Sequence, residues 1–338
     1  MTRYRVRHRT SYEYGLPVND AYTVACLLLR DRDFQEVLTS SVVATPTPDE
    51  FVETRDVFGN RVVQLGVHHG HDAFEIVADS TVEVRVPELP TTTMPWEDTA
   101  RAARELLGRP ALRVGPYRAA TRASAPTERP DLLAALAGRI FRPGRPIVEA
   151  VTDLSREIFE TYTFDPMATD WATPLDTVLE QRRGVCQDFA HLATAVLRSV
   201  GLPASYVSGY IETQPPPGEV KSIGADASHA WCSVWTGPTD DTGSGSGGWL
   251  DLDPTNHQVP PTRHVTVGWG RDYADVAPVR GVVLGPSSNQ IMDVAVDVTR
   301  LESVASSPST ATPSSSSSSS SSSTSTSSAP GPPESDDR

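Results

Sequence analysis

The sequence predicts an α+β protein: an N-terminal antiparallel β-sandwich, then a core in which one cysteine-bearing helix packs on an antiparallel sheet, then a disordered tail. Three observations predict this. Residues 1–88 fall into short alternating stretches punctuated by turn residues, and apolar side chains recur at helical spacing between Cys186 and a Gly201-Leu202-Pro203 stop. Beyond Thr299 the chain is Ser/Thr/Pro-rich, with consecutive serines from Ser314 to Ser323.

In chain order, strands are expected at Tyr4 to Thr10, Tyr22 to Leu29, Val37 to Ala44, Arg61 to Val67, Ala73 to Ala78 and Thr81 to Val86. Turn signals such as Phe58-Gly59-Asn60 and His69-Gly70-His71 separate them. A Pro/Thr-rich break at Pro87 to Pro95 closes this first domain, residues 1–88. A linker and helical segment, residues 89–145, follows, and helical periodicity covers Trp96 to Leu107, Asp131 to Phe141 and Ile147 to Tyr162. The core, residues 146–300 with its C-terminal extension, contains a helix start at Thr173-Pro174 with Asp176, in which Thr173 is the expected N-cap. In the cysteine-bearing helix Phe189, Ala190, Ala193, Val196, Leu197 and Val200 line one face, and strands follow at Ser205 to Ile211, Ala230 to Trp235 and Gly248 to Leu252. Residues 301–338 hold too few apolar groups to offset the entropy of ordering and form the tail.

Composition narrows the function. The chain has 338 residues, 38% of them hydrophobic and 21% charged, enough for two compact domains. No run of apolar residues is long enough to span a bilayer, and Met1-Thr2-Arg3-Tyr4-Arg5 alternates charge with apolar groups. A cytoplasmic protein without a membrane partner is the expectation. Three scattered cysteines, Cys26, Cys186 and Cys232, make no disulfide framework and no Cys-x-x-Cys zinc pair, which suits a reducing compartment. A net charge of −14, with Lys221 the single lysine, argues against nucleic acid as a partner. The ten arginines between Arg101 and Arg145 read as solvated helix faces rather than an acid-binding patch.

Three segments carry chemistry. Cys186, in Arg183-Gly184-Val185-Cys186-Gln187-Asp188, opens a helix, whose positive end together with a neighbouring imidazolium favours the thiolate. First-turn N–H groups can serve the same thiol as oxyanion donors. His229, in Ser228-His229-Ala230-Trp231, shares a strand face with Trp231, Ser233 and Trp235, whereas Cys232 faces the other way, so Cys186 rather than Cys232 is the candidate nucleophile. Asp253 ends a strand before Pro254, where a carboxylate can orient the histidine; Asp251 shares its face and periodicity alone does not exclude it.

Several runs resemble the bacterial transglutaminase-like superfamily. They are Thr173-Pro174-Leu175, Gly184 through His191, Gly201-Leu202-Pro203-Ala204 with Tyr206 to Tyr210, Ala227 to Trp231, and Gly248 through Asn256. Tyr4 to His8 and Asp56 to Asn60 similarly resemble the β-domain that precedes the core in this family. The resemblance implies a papain-like core with Cys186, His229 and Asp253 as its catalytic triad, the acid falling on Asp253 because it heads Asp-Pro-Thr. It implies a cysteine peptidase or amidase acting on a peptide or protein amide through a thioester, with glutamine crosslinking or transpeptidation as the alternative and a non-catalytic scaffold as the alternative of another class. No cofactor or metal is implied. Gln187 follows the cysteine instead of preceding it, so no oxyanion side chain is carried over. The pattern leaves oligomeric state and substrate open.

Other clusters read blandly. His68 and His69 are adjacent on a strand and point to opposite faces, so with His71 and Asp72 they form a solvated turn rather than a metal site. A zinc site from Cys186, His229 and Asp253 is the weaker reading of a helix-mounted thiol. His191, about 140° around the helix from Cys186, is structural, and Trp171, Trp231, Trp235 and Trp249 read as core, with one of them lining an acyl groove as the alternative.

Overall fold

A computed structural model describes residues 1–301 except 171, 214–223, 225, 240–246 and 287–288. The expected Ser-rich tail, most of the Pro-rich loop before His229 and the centre of the Gly/Ser loop after Trp235 lie outside the described residues.

The first six strands are β1 (Thr2–Val18), β2 (Asp20–Ala25), β3 (Gln35–Thr45), β4 (Glu50–Arg55), β5 (Arg61–Val67) and β6 (His71–Val84). They are followed by α1 (Trp96–Glu105), α2 (Gly108–Val114), α3 (Pro130–Ile140), α4 (Ile147–Thr161), the short strand β7 (Thr163–Phe164), α5 (Leu175–Gln181), β8 (Arg183–Gly184) and α6 (Cys186–Ser199). The remaining strands are β9 (Ala204–Ile211), β10 (Ala227–Trp235), β11 (Trp249–Leu252), β12 (His264–Gly270), β13 (Val279–Leu284) and β14 (Gln290–Leu301).

Three antiparallel sheets run β14-β1-β6-β3, β13-β2-β5-β4 and β11-β10-β9-β12. The α+β architecture of the sequence reading is therefore present, with one difference in how it closes. Residues 279–301, assigned from sequence to the core and its C-terminal extension, pair with N-terminal strands: β13 lies along β2 from Val279↔Ala25 to Leu284↔Asp20, and β14 along β1 from Arg3↔Leu301 to Tyr14↔Gln290. Each strand shields one edge of its sheet.

The period-two pattern of β1 and β6 explains how one sheet serves two cores. Tyr4, Val6, His8, Thr10 and Tyr14 of β1 face the same side as Phe74, Ile76, Ala78, Ser80, Val82 and Val84 of β6, and all are buried. At one end of this face Phe74, Ile76 and Ala78 pack on Ala21, Val63, Leu65 and Val67 of the second sheet. At the other end Tyr4, Val6, Val82 and Val84 pack on Tyr206, Tyr210, Val265 and Val267 of the core sheet. The long β-strands are thus a wall common to the sandwich and the core.

Sequence and structure part at definable points. The two strands expected over Ala73 to Val86 are one, β6, because the polar residues that looked like a break are satisfied: Asp79 pairs with Arg5 at 2.6 Å and Ser80 Oγ meets Ser40 Oγ at 2.8 Å. The edge strand β4 is exposed along its whole length, so backbone pairing with β5 holds it and no apolar alternation marks it. Thr173 is not the cap of α5; Pro174 occupies that position, and Thr173 Oγ1 bonds Asp170. Asp176 turns away to accept N–H groups of Thr127, Glu128 and Arg129 at 3.1, 3.0 and 2.8 Å, at the start of α3.

Helix α6 is the centre of the second layer. Its residues from Asp188 to Arg198 are all buried, against Leu154 and Ile158 of α4, Leu179 of α5, and Cys232, Val234 and Leu252 of the core sheet. Each fully buried Leu, Ile or Val contributes about 1.5–3 kcal/mol relative to exposure, so the helix is held by its surroundings rather than by propensity. Arg198 ties its end to the backbone carbonyls of Tyr117, Ala204 and Arg271.

Because β13 and β14 close both N-terminal sheets, a fragment of residues 1–88 is expected to lack cooperative thermal unfolding by circular dichroism, whereas residues 1–302 unfold in a single sharp transition. A cooperative transition in the short fragment would contradict the shared-wall arrangement.

Candidate active site

The start of α6 is set by a local fold-back. Asp188, in the first turn, accepts the Val185 N–H at 2.8 Å and the Thr169 hydroxyl at 2.6 Å, capping a donor that the helix leaves unpaired. A Cβ on Gly184 would sit 2.7 Å from the Asp188 carboxylate, so glycine makes the cap fit. Burial raises the Asp188 pKa above the usual carboxylate range, against the Thr169 and Val185 bonds. Cys186 is the first residue of the helix, half-buried against the Tyr206 and Ala230 cluster.

His229 lies on β10 opposite Gly209 of β9 and is 8% exposed. Gly209 is required by close approach: a Cβ there would collide with the Trp231 indole and the Val265 carbonyl. The bare backbone lets Trp231 cross β9 toward β12, where its ring meets that of His264 edge-on at 5.3 Å.

Asp253 follows β11 and is fully buried, its backbone N–H and carbonyl both paired with Gln258 across a tight turn. Its carboxylate collects five donors. Oδ1 accepts the N–H groups of Thr255 and Asn256 at 3.0 and 3.2 Å. Oδ2 accepts His229 Nε2 at 2.8 Å, His264 Nε2 at 2.9 Å and Asn256 Nδ2 at 2.7 Å. An ionised carboxylate only accepts, so both imidazoles present N–H at Nε2.

The electrostatics follow from this crowding. Burial on its own raises the Asp253 pKa, but the bonds and charges of the two histidines outweigh it and hold the carboxyl far below the usual range. Burial also disfavours a charged His229; its hydrogen bonds to Asp253 and Cys186, and their charges, prevail and raise it to about 10. His264 goes the other way, lowered chiefly by burial despite the same carboxylate.

The structure therefore gathers the three sequence-selected side chains. His229 touches Asp253 through Nε2, and Cys186 is close enough to help raise the His229 pKa, with Nδ1 the ring atom not spent on the carboxylate. Asp251, open from periodicity, is engaged elsewhere: Arg32 grips it at 2.6 and 3.0 Å and Trp231 Nε1 donates to it at 2.9 Å. Cys232 is buried in the α6-facing core with its thiol 3.6 Å from the Leu252 carbonyl. His191 is also buried and accepts the Tyr273 N–H at 3.1 Å; burial lowers its pKa to about 4.

Two site residues were missed from sequence, His264 and Asn256. His264 opens β12, whose alternation after Pro260-Pro261 is a readable strand signal, but its partner Asp253 follows β11, at the opposite edge of the sheet. Asn256 stands in the Asp-Pro-Thr-Asn turn, where a short amide returning to an acid three residues back is an ordinary turn contact.

Among the described residues, the group that could hold a metal is His229, Asp253 and His264, with ligand atoms within 4.8 Å of one another. Both imidazoles already spend their Nε2 on one carboxylate oxygen, which is a hydrogen-bonded cluster in its own right. His68 and His69 instead face Asp20 and Asp49, each at 3.2 Å, and His71 meets the His69 carbonyl. A cleft of about 1380 Å³ opens between the β-domain and the core, lined by residues including Arg32, Phe34, Tyr117, Trp249, Asp251 and Trp269. It lies on the Asp251 side of the sheet, and Cys186, His229 and Asp253 are not among the described residues that line it. Trp249 thus borders a cavity and Trp231 and Trp235 are buried, while Trp171 lies outside the described residues.

A helix-mounted thiol over an antiparallel sheet, preceded by a β-domain, defines a transglutaminase-like fold, and the comparisons agree. Residues 134–254 match the transglutaminase-like superfamily model and residues 4–83 the bacterial transglutaminase-like N-terminal region. An uncharacterised protein of Mycobacterium tuberculosis is 40% identical over 308 residues, covering 90% of this chain and 94% of the relative. One from Mycobacterium leprae is 31% identical over 301 residues, covering 89% and 100%. A candidate cysteine protease from Cytophaga hutchinsonii shares the fold with a TM-score of 0.67 at 21% identity, covering 89% of this chain and 91% of that one. The chain belongs to the bacterial transglutaminase-like superfamily.

The His229 shift carries a stability prediction. A histidine whose folded pKa is raised from 6.5 to about 10 contributes stability that is complete below 6.5 and lost as pH climbs through 10. The unfolding midpoint of the wild type is expected to fall over that interval, and the Asp253→Asn variant to show a shallower decline. Equal slopes in the two proteins would contradict the ion pair.

Proposed function

We propose that this protein is a thiol enzyme that cleaves amide bonds, with Cys186 as nucleophile, His229 as acid and base, and Asp253 as the orienter of His229. The observation that carries the reading is the 2.8 Å contact of His229 Nε2 with Asp253, which leaves the opposite ring nitrogen for the Cys186 thiol. The fold and its family support the class, and the donor geometry supports the roles.

In this reading the Cys186 proton resides on His229, and the sulfur attacks the amide carbonyl carbon to form a C–S bond. The carbonyl π electrons move to oxygen, and the first-turn N–H groups of α6 face the resulting oxyanion. As the tetrahedral species collapses, the C–N bond breaks and His229 delivers its proton to the departing amine, leaving a thioester. Water, deprotonated by His229, then attacks the thioester; the acid leaves and the thiol is restored. Asp253 keeps the ring aligned and stabilises the imidazolium throughout, without itself taking the proton.

Substitution of water by an amine at the last step gives crosslinking or transpeptidation instead. We favour hydrolysis, as cleavage of a peptide or protein amide, because unregulated isopeptide formation inside a cell is hazardous. The two outcomes are separable in one experiment. Incubation with a peptide library from digested cell protein, with and without a primary amine, is expected to yield new carboxyl termini by mass spectrometry. In Cys186→Ala these should fall by about a thousandfold or more. Products found only as amine adducts would replace hydrolysis by transfer, and products undiminished in Cys186→Ala would remove the thiol mechanism.

The pH dependence follows from His229. A protonated imidazole must give its proton to the leaving amine, so the alkaline limb of peptide turnover is expected near pH 10 and should move down in Asp253→Asn, where the stabilising charge is gone.

A further inference from the structure

The second imidazole on Asp253 is unused by the mechanism above. His264 is 2% exposed, walled by Trp231 at 5.3 Å and by the His229 ring at 5.6 Å. Its Nδ1 is buried with no hydrogen-bond partner among the described residues, whereas its Nε2 lies 2.9 Å from Asp253 Oδ2. A ring with one nitrogen unpartnered and the other on a carboxylate carries its single N–H at Nε2 and is neutral.

We propose that His264 is a positioning residue for the reaction: its neutral Nε2–H, donated to the same Asp253 oxygen that faces His229, fixes the carboxylate without competing for its charge. The inference rests on the triad reading given above and adds a division of labour between two histidines. His229 takes the charge and meets the thiol; His264 supplies a donor alone.

The geometry explains why a second donor is needed. The two backbone N–H groups hold only Oδ1. Oδ2 is the oxygen that must point at His229, and its other donor, Asn256 Nδ2, also lies 3.5 Å from His229 Nε2, on the same approach. His264 reaches Oδ2 from β12, the far edge of the sheet, so it ties the acid to an element that carries neither the nucleophile nor the base. Were it merely a space-filling ring, any side chain of similar bulk would serve, and the unpartnered buried Nδ1 would be a cost without return.

The test uses Cys186 itself as reporter, which requires no substrate. The second-order rate of iodoacetamide alkylation at pH 6, followed by mass spectrometry on the full chain, is compared across wild type, His264→Gln, His264→Asn and His264→Leu. Cys26 and Cys232 are buried and serve as internal standards. A glutamine amide nitrogen reaches the place of Nε2, an asparagine amide falls short of it, and leucine fills the space without a donor. Gln is expected to label within about threefold of wild type and Asn and Leu about tenfold more slowly, the scale of losing one hydrogen bond to a charged group. Asn keeps a polar, folded alternative should Leu fail to fold, and melting temperatures separate loss of fold from loss of reactivity. Equal rates for Gln and Asn, or an Asn rate matching wild type, would overturn the proposal. His229→Ala distinguishes the underlying reading: if it labels as fast as wild type, the triad fails first and this role falls with it. If it is slow while Asn at 264 is not, only the role of His264 is lost.

Discussion

A carboxylate with no solvent exposure is the constraint on which the rest of this structure depends. Burying an unpaired charge costs several kcal/mol even after relaxation, so Asp253 is tolerable only because five donors converge on it. Those donors come from β10, from β12 and from the turn after β11, and β12 stands at the opposite edge of the sheet from β11. The sheet order β11-β10-β9-β12 puts the histidines on different strands with Gly209 between them, and the absent side chain at Gly209 makes room for the Trp231 indole, which packs against both imidazoles. The layout of the sheet and the ionisation of the site are one problem.

The N-terminal sheets enter through the same logic. The face of β1 and β6 that covers the core sheet carries polar ties as well as apolar ones: the Tyr210 hydroxyl meets His8 Nδ1 at 3.0 Å, and Tyr4 donates to Glu212 at 2.9 Å. Asp226, just before β10, accepts the Thr213 N–H at 2.8 Å and the Val298 N–H of β14, so the strand that delivers His229 is anchored on the sheet that the C-terminus completes. Arg32, from the β2–β3 connection, occupies Asp251 and thereby leaves Asp253 as the acid for His229. The β-domain thus acts as a support that sets the position of the core strands and allots their acids.

What could be read from sequence follows from the range of the forces involved. Helix α6 is legible because its buried face repeats along a contiguous stretch from Phe189 to Leu197, and its cap is four residues long. The opposite facing of His229 and Cys232 is likewise a period-two statement about one strand. The choice between Asp251 and Asp253 is not local: it depends on Arg32, more than two hundred residues away, and was open on periodicity alone. Strand β4 escaped because nothing in it is buried, and β13 and β14 because their partners lie at the opposite end of the chain. His264 escaped for a related reason, since its role exists only once β9 separates it from β10.

The most direct test of the account is the protonation of the two site histidines in the free protein at neutral pH, read from imidazole ¹⁵N and ¹H resonances. The account predicts a doubly protonated His229 with a strongly downfield Nε2 proton, beside a neutral His264 protonated only at Nε2. A neutral His229, or a charged His264, would contradict the arrangement of charge around Asp253 from which the proposed chemistry is derived.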